Sequence, residues 1–214
     1  MRFTITRWPG YFLAFVFVFF FTLSLRQLVD EDVWFQLLAG QETFRTLAVP
    51  RTEFYIYSAL GDPSLFVGWF WGLWLYLAWL AGGYTAVSVF GALFWGAIFG
   101  IGAKAIVTII ERDLPDGEAY SRKAVLIAIL IATGVSFQYL VGRAVLRAEV
   151  TMYLGWVVAV YLSAGIAKDE RRRRRFLFIV PLLSWSLGWL HTTSIFMVLF
   201  LFGHLLQAGA DAMG

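Results

Sequence analysis

Three consecutive carboxylates, Asp30, Glu31 and Asp32, directly follow the first long apolar segment of the chain, residues 11–29. Asp30 and Asp32 are the catalytic candidates, because a carboxylate can accept a proton from a group that lies within about 3 Å of it. Three carboxylates this close repel one another, and a cation between them would relieve the repulsion. The cluster therefore permits Mg²⁺ or Mn²⁺ without establishing either. The alternative is a plain solvated flank of the helix.

Two arginines, Arg143 and Arg147, are the candidates for phosphate binding. They are four residues apart near the boundary of an apolar segment, so a helix would present both on one face. A guanidinium group binds phosphate in a bidentate manner, and Glu149 is close enough in sequence to orient Arg147. The alternative is that both arginines are membrane anchors whose charged ends extend to the interface.

A histidine in an apolar segment, His191, is the remaining candidate for chemistry. Its imidazole is a metal ligand and a phosphate-binding group. The alternative is a packing histidine whose ring nitrogens are satisfied by neighbouring groups.

The composition indicates a membrane protein. The 214 residues are 60% hydrophobic and 14% charged, whereas soluble domains are about 45–50% apolar and about 25% charged. The surplus apolar surface is therefore expected to face lipid. Most of the basic excess lies in residues 171–175, which is typical of a cytoplasmic anchor contacting membrane lipids and not of a nucleic-acid site. The absence of cysteine excludes disulfides and thiolate chemistry.

Seven apolar runs predict an all-α polytopic bundle of about six to seven transmembrane helices, forming one domain over residues 1–214. In this interpretation residues 1–29 contain the first span, 30–64 an extracytoplasmic loop and 65–207 the helix bundle, with the N-terminus in the cytoplasm. Seven full crossings would put residues 171–175 outside, so one run is expected to cross incompletely: either 69–79 or the run broken near His191. The apolar runs are 11–29, 65–80, 84–110, 124–142, 150–167, 176–189 and 194–207.

Glycine and proline positions predict where these elements break and where they pack. Gly82-Gly83 is expected to break the helix between the second and third runs. Pairs at a spacing of four are expected to let helices approach closely; they are Gly68/Gly72 and Gly96/Gly100.

The loop at 30–64 is expected to contain an amphipathic helix on the membrane surface, since its apolar residues recur at helical spacing. Val49-Pro50 is expected to end this helix, and residues 61–64 to form a turn. The apolar face consists of Val33, Trp34, Leu37, Leu38 and Phe44, with Gln41 at the same spacing.

Three ordered motifs resemble the GT-C superfamily of membrane glycosyltransferases, in particular the N-terminal membrane module of bacterial members. The first loop reads Asp30-x-Asp32-x-Trp34-x-Gln36-x-x-x-Gly40, then Val49-Pro50-Arg51-Thr52-Glu53, then Tyr55-x-Tyr57-Ser58. The second motif is Arg147-Ala148-Glu149, and the third is Trp189-Leu190-His191-Thr192-Thr193. Gln36 stands where the family usually has histidine, and Trp189 where it has asparagine.

The resemblance implies an enzyme that transfers a sugar from a polyprenyl-phosphate donor at the extracytoplasmic face of a bacterial inner membrane. Asp30 or Asp32 would be the base. Donor and acceptor binding would fall to Arg143, Arg147, Glu149, Gln36, Arg51 and His191. A second hypothesis is a non-catalytic scaffold that keeps this fold and packs beside other membrane protein subunits. A transporter fits less well, since the spans show no clear internal repeat.

Overall fold

The computed structural model describes residues 10–25, 31–64, 66, 68–113, 127, 129–132, 134–135, 149–164, 178–179, 181–182 and 203. Four α-helices have bounds within the described residues: α1 is Gly10–Ser24, α2 is Glu31–Thr46, α3 is Trp69–Asp113 and α4 is Glu149–Ala164. A short 3₁₀ helix, Tyr57–Ala59, interrupts the loop between α2 and α3. The described residues contain no strand; Thr52 and Pro63 form an isolated antiparallel bridge. The chain is therefore helical, as predicted.

Helix α3 is divided by a break into two arms, residues 69–81 and 84–113. Gly83 has φ of 60°, a left-handed conformation that glycine adopts without a steric penalty. This confirms the break predicted at Gly82-Gly83. The second arm continues to Asp113, three residues beyond the predicted end of the apolar run.

Among the described residues, one helix, Trp69–Ile110, is long and apolar enough to cross a bilayer. Its second arm up to Ile110 would span roughly 40 Å at 1.5 Å per residue, against about 30 Å of hydrocarbon. The first arm would span only about 20 Å by the same rise. Helices α1 and α4 are apolar but shorter. The bundle of six to seven spans stays a prediction.

Helices α1 and α4 pack against the second arm of α3. Phe12, Val16 and Phe20 recur every fourth residue of α1 and are buried there, and the Phe20 ring stacks on Phe99 with centroids 3.9 Å apart. The opposite side of α1 is exposed, including Tyr11, Phe15, Val18 and Phe19.

The direction of α4 follows from two contacts. Tyr153 packs its ring 6.1 Å from that of Trp95, and Val157, one turn later, faces Gly102. The contacts advance along both helices together, so α4 runs parallel to the second arm. Glu149, its first residue, therefore belongs to the end of that arm nearer Gly83.

Helix α2 crosses the first arm at a contact of backbone against backbone. A Cβ atom on Gly40 would overlap the carbonyl group of Gly72, and one on Gly72 would overlap the carbonyl oxygen of Gln36. Val33 and Leu37 are buried beside this crossing, in a cluster completed by Trp71, Leu75 and Val87. Two glycines thus permit an approach that no other residue pair would allow.

The predicted helix in the loop is confirmed, but its apolar face is divided. Val33 and Leu37 turn toward α3, whereas the other three apolar positions of the predicted face are exposed: Trp34, Leu38 and Phe44. The helix ends at Thr46, earlier than Val49-Pro50, because Leu47 has φ of 53° and leaves the helical conformation.

The predicted packing glycines are confirmed with one exception. Phe17 of α1 lies against both Gly96 and Gly100, and Gly72 contacts α2. Gly68 does not lie on a helix face: its φ is 84°, in the turn before α3.

Replacing Gly40 by alanine tests the crossing. We expect Gly40→Ala to lower the free energy of unfolding by about 1–3 kcal/mol, because the added methyl group meets backbone that cannot rotate away. Gly102→Ala is the matched control, since its methyl would make ordinary contact with Val157 and alanine favours a helix over glycine by about 0.8–1 kcal/mol. Thermal unfolding in detergent measures both; equal stability of the two variants would contradict the crossing.

Candidate functional site

A cavity of about 320 Å³ lies where α2, the loop at 47–68 and the start of α3 meet. This volume is at the lower end of the range for small-molecule sites, about 300–1,000 Å³. The lining combines one carboxylate, one amide and two hydroxyl groups, one of them the phenol of a tyrosine, with four aromatic side chains. The lining residues are Asp32, Phe35, Gln36, Ala39, Tyr55, Ser64, Phe66, Gly68 and Trp69.

Helix α2 contributes Asp32, Gln36 and Ala39 from one face, since these residues are spaced four and three apart. The backbone carbonyl of Gln36 sits against Gly72, so the glycine crossing fixes this face at the cavity. The side-chain Oε1 of Gln36 is buried and has no hydrogen-bond partner among the described residues. A buried acceptor without a donor costs about 1–3 kcal/mol, which a donor on a ligand would offset.

The loop between α2 and α3 is organised by the buried carboxylate of Glu53. Its Oε1 accepts hydrogen bonds from three successive backbone N–H groups, those of Phe54, Tyr55 and Ile56, at 3.0, 3.1 and 3.2 Å. Glu53 is 8% exposed, so water has little access to these bonds. A buried carboxylate bonded to three donors holds a segment of backbone in one conformation.

Backbone bonds close the same loop on itself. The N–H of Glu53 donates to Asp62 at 2.8 Å, the N–H of Gly61 donates to Glu53 at 2.9 Å, and the N–H of Ser64 donates to Arg51 at 2.8 Å. Gly61 has φ of 87°, which confirms the turn predicted at 61–64. The closure brings Ser64 to the cavity.

Tyr55 connects the ordered loop to the cavity through the packing of its ring. Its ring stacks on Phe35 of α2 with centroids 4.9 Å apart and an interplanar angle of 22°, and it packs against Phe66 at 5.9 Å. Burial raises the pKa of the Tyr55 hydroxyl, and the negative charges of Glu53 and Asp32 raise it further. The phenol therefore stays protonated at neutral pH.

The last side of the cavity is the turn that starts α3. Gly68 adopts φ of 84°, and its carbonyl accepts the N–H of Gly72 at 2.9 Å. Trp69, the first residue of α3, follows this turn and lines the cavity. The turn thus joins the cavity to the glycine crossing.

The structure brings together two of the residues predicted from sequence, Asp32 and Gln36. Arg51 is exposed and does not line the cavity, although its carbonyl holds Ser64. Glu31 is the first residue of α2. Glu149 is half-buried at the start of α4 and does not line the cavity. The other candidates lie outside the described residues: Asp30, Arg143, Arg147 and His191.

The metal site suggested by the three carboxylates is not tested. Among the described residues, no group of three or more His, Asp or Glu side chains could hold a metal ion, but Asp30 is not one of these residues. The cavity lining itself offers a single carboxylate.

Sequence reasoning missed the contribution of Trp69 and Ser64. Trp69 belongs to a tryptophan-rich run that is typical of an interfacial belt, and nothing in that run distinguishes it. Glu53 was part of a recognised motif, but its role in binding three N–H groups was not anticipated. An acidic residue shortly before a Gly-Asp-Pro turn was the signal available for it.

No family model, curated protein sequence or solved structure was found to match this chain. The geometry of the described residues therefore carries the functional argument.

Glu53 can be tested with two substitutions. We expect Glu53→Ala to lower the free energy of unfolding by about 2–3 kcal/mol, because three N–H groups lose an ionised acceptor. Glu53→Gln keeps an oxygen without the charge and should lose less. Chemical unfolding in detergent measures both variants, with Glu42→Gln as the control at a partly exposed carboxylate paired with Arg45. A loss from Glu53→Ala no larger than that of the control would refute the role.

The raised pKa of Tyr55 predicts that the stability of the fold depends on pH. The folded protein holds the phenolic proton more tightly than the unfolded chain, so the free energy of unfolding falls as pH rises above about 10, the ordinary tyrosine pKa. Tyr55→Phe has no proton to lose and should fall less steeply in this window. Unfolding midpoints measured from pH 8 to 11 compare the two, and parallel profiles would disprove the prediction.

Proposed function

We propose that this chain is a GT-C-like membrane glycosyltransferase module that uses a polyprenyl-phosphate-linked sugar at the extracytoplasmic face of a bacterial inner membrane. The observation that carries the proposal is the cavity in which Asp32 and Gln36, both from the first motif, line one space with Tyr55 from the same loop. A general base needs such a partly enclosed space, with room for an acceptor group within about 3 Å.

The direction of α4 supports the same proposal. Helix α2 packs beside the Gly83 end of the second arm, since Trp34 lies 6.3 Å from Tyr84 and Val33 packs in the cluster with Val87. Glu149 belongs to that end as well, and Arg147 precedes it by two residues in sequence. Glu149 of the second motif and helix α2, which carries most of the first, thus lie toward the same end of the second arm, as a shared site would require.

In the proposed reaction, a carboxylate takes up a proton and positive groups stabilise the departing phosphate. The Asp32 carboxylate takes the proton of an acceptor hydroxyl or amide group as that group bonds to C1 of the sugar. The bond between C1 and the phosphate oxygen breaks, and the polyprenyl phosphate leaves with the electron pair. Positive groups must stabilise the charge that develops on the phosphate. Arg143 and Arg147 are proposed for this role.

The membrane location rests on the apolar composition and on the helix Trp69–Ile110. An 18-residue stretch of this helix reaches a mean hydropathy of 1.9. The exposed side of α1, with Tyr11 77% exposed and Phe15 55% exposed, is apolar, as a lipid-facing surface would be.

Replacing Asp32 by asparagine tests the activity. We expect Asp32→Asn to lower the rate of sugar transfer from a polyprenyl-phosphate donor by about 10²- to 10⁴-fold, the usual contribution of a general base. Glu42→Gln is the matched control, because it makes the same chemical change on the same helix away from the cavity. The rates are measured with both variants reconstituted in lipid, after thermal unfolding confirms that both are folded.

The second candidate is a non-catalytic scaffold that binds lipid or other membrane subunits. The exposed aromatic side of α2 favours it, since Trp34, Phe35 and Phe44 are 37%, 41% and 46% exposed. The scaffold would be supported, and the transferase overturned, if folded Asp32→Asn protein forms the same stoichiometric complex as the wild type and that complex is equally active.

A further inference from the structure

Gln36 contributes an unsatisfied polar group to the lining of the cavity. Its side chain lines this space, and its Oε1 is buried with no hydrogen-bond partner among the described residues. Methionine is of similar length and needs no such bond, so a glutamine at this position lowers the stability of the free protein. A polar group that weakens the fold in this way is typical of a binding site, where a ligand supplies the missing bond.

A hydroxyl group is the partner that fits this amide. Because a hydroxyl both donates and accepts hydrogen bonds, it can bond the oxygen of Gln36 or, after the amide rotates by half a turn, its NH₂ group. Two further lining side chains have the same dual character. They are the hydroxyl of Ser64 and the phenol of Tyr55, which keeps its proton at neutral pH because burial raises its pKa. Such groups are complementary to a ligand that carries several hydroxyls.

The aromatic side chains of the lining add a second requirement. The Tyr55 ring packs against Phe35 and Phe66, with centroids 4.9 and 5.9 Å apart. Trp69 lines the cavity from the turn that starts α3. Aromatic rings bind apolar surfaces, and their negative π faces attract the slightly positive hydrogens of C–H groups. The ligand is therefore expected to have an apolar face as well as hydroxyls.

A sugar ring combines both features in one group. Its C–H bonds form apolar faces, and its hydroxyls project from the rim. The cavity volume of about 320 Å³ lies at the small end of the range for ligand sites, about 300–1,000 Å³, which suits a single ring. An amide or hydroxyl side chain of a protein offers one polar group and no ring face, so it would leave the aromatic side chains unused.

We propose that the cavity binds the acceptor of the transfer, and that this acceptor is a sugar whose ring packs against the aromatic side chains and bonds Gln36 through a hydroxyl. The acceptor role rests on the proposed function, because Asp32, the proposed base, lines the same cavity. Recognition of the ring depends on neutral groups and does not require that transfer follows. The site thus selects a glycan over a protein side chain.

Binding in the absence of a sugar donor tests the recognition. The full chain in phosphatidylcholine nanodiscs, whose headgroup has no hydroxyl, is titrated with the methyl glycosides of glucose, galactose, mannose and N-acetylglucosamine. Saturation-transfer NMR detects weak binding and reports which ligand protons contact the protein. We expect at least one glycoside to bind through its C–H protons, and at least about tenfold more tightly than N-acetylasparagine methylamide. If no glycoside bound, or if the amide bound more tightly, the proposal would be overturned.

Gln36→Met should change affinity and stability in opposite directions. Loss of the amide should weaken glycoside binding by about tenfold, whereas removal of a buried unsatisfied oxygen should raise the thermal unfolding midpoint by about 2–4 °C. Gln41→Met, the same change at an exposed position of α2, is the control and should alter neither. A glutamine with a purely structural role would lose stability on substitution, so a lowered midpoint or an unchanged affinity would contradict the contact.

Trp69→Leu keeps an apolar side chain and removes the aromatic face. We expect it to weaken glycoside binding several-fold and to reduce saturation of the ring C–H protons. Trp74→Leu is the matched control, since Trp74 is 47% exposed on the same arm of α3 and does not line the cavity. Equal losses from the two variants would show that the ring does not pack in the cavity.

Addition of the donor distinguishes failure of this proposal from failure of the proposed function. If the polyprenyl-phosphate-linked sugar displaces the bound glycoside, the cavity belongs to the donor and the acceptor role is wrong. Transfer to a peptide amide and not to a glycoside would overturn the sugar acceptor and retain the transferase. Glycoside binding without transfer to any acceptor would refute the transferase and leave the recognition of a sugar ring standing.

Discussion

The contact between Gly40 and Gly72 is the interaction on which the candidate site depends. Because neither residue has a side chain, the backbone of α2 lies directly on that of α3, closer than any pair of larger residues would allow. The carbonyl of Gln36 is part of this contact, so the position of its side chain is set by the crossing. Asp32, one turn earlier on the same face, is fixed with it. The cavity is the space left beside two helices that cross this closely.

The loop at 47–68 forms the other wall of the cavity. A buried charge holds this loop in place, whereas close backbone packing holds the helices. A buried carboxylate is costly unless hydrogen bonds compensate it, and Glu53 meets this requirement with three backbone N–H groups. The compensation orders the backbone that carries Tyr55, whose ring then stacks on Phe35 of α2. Helix and loop are thus locked together by an aromatic pair at the edge of the cavity.

Local features of the structure followed from the sequence, whereas the pairing of distant segments did not. Helical periodicity identified α2, and glycines identified the break at Gly82-Gly83 and the turn at 61–64, because each depends on a few neighbouring residues. The position of Trp69 in the cavity lining and the contact of Gly40 with Gly72 each depend on segments about 30 residues apart in sequence. Local sequence patterns therefore did not predict them. Asp32 and Gln36 were identified by resemblance to a motif. That Oε1 of Gln36 has no hydrogen-bond partner among the described residues becomes visible only in the structure.

The described lining constrains any chemistry that involves a phosphate. Among the described residues that line the cavity, Asp32 carries the one formal charge, and this charge is negative. A departing phosphate needs positive groups to stabilise the charge that develops on it. If the chain transfers a sugar, these groups must therefore come from outside the described lining, which is the role proposed for Arg143 and Arg147.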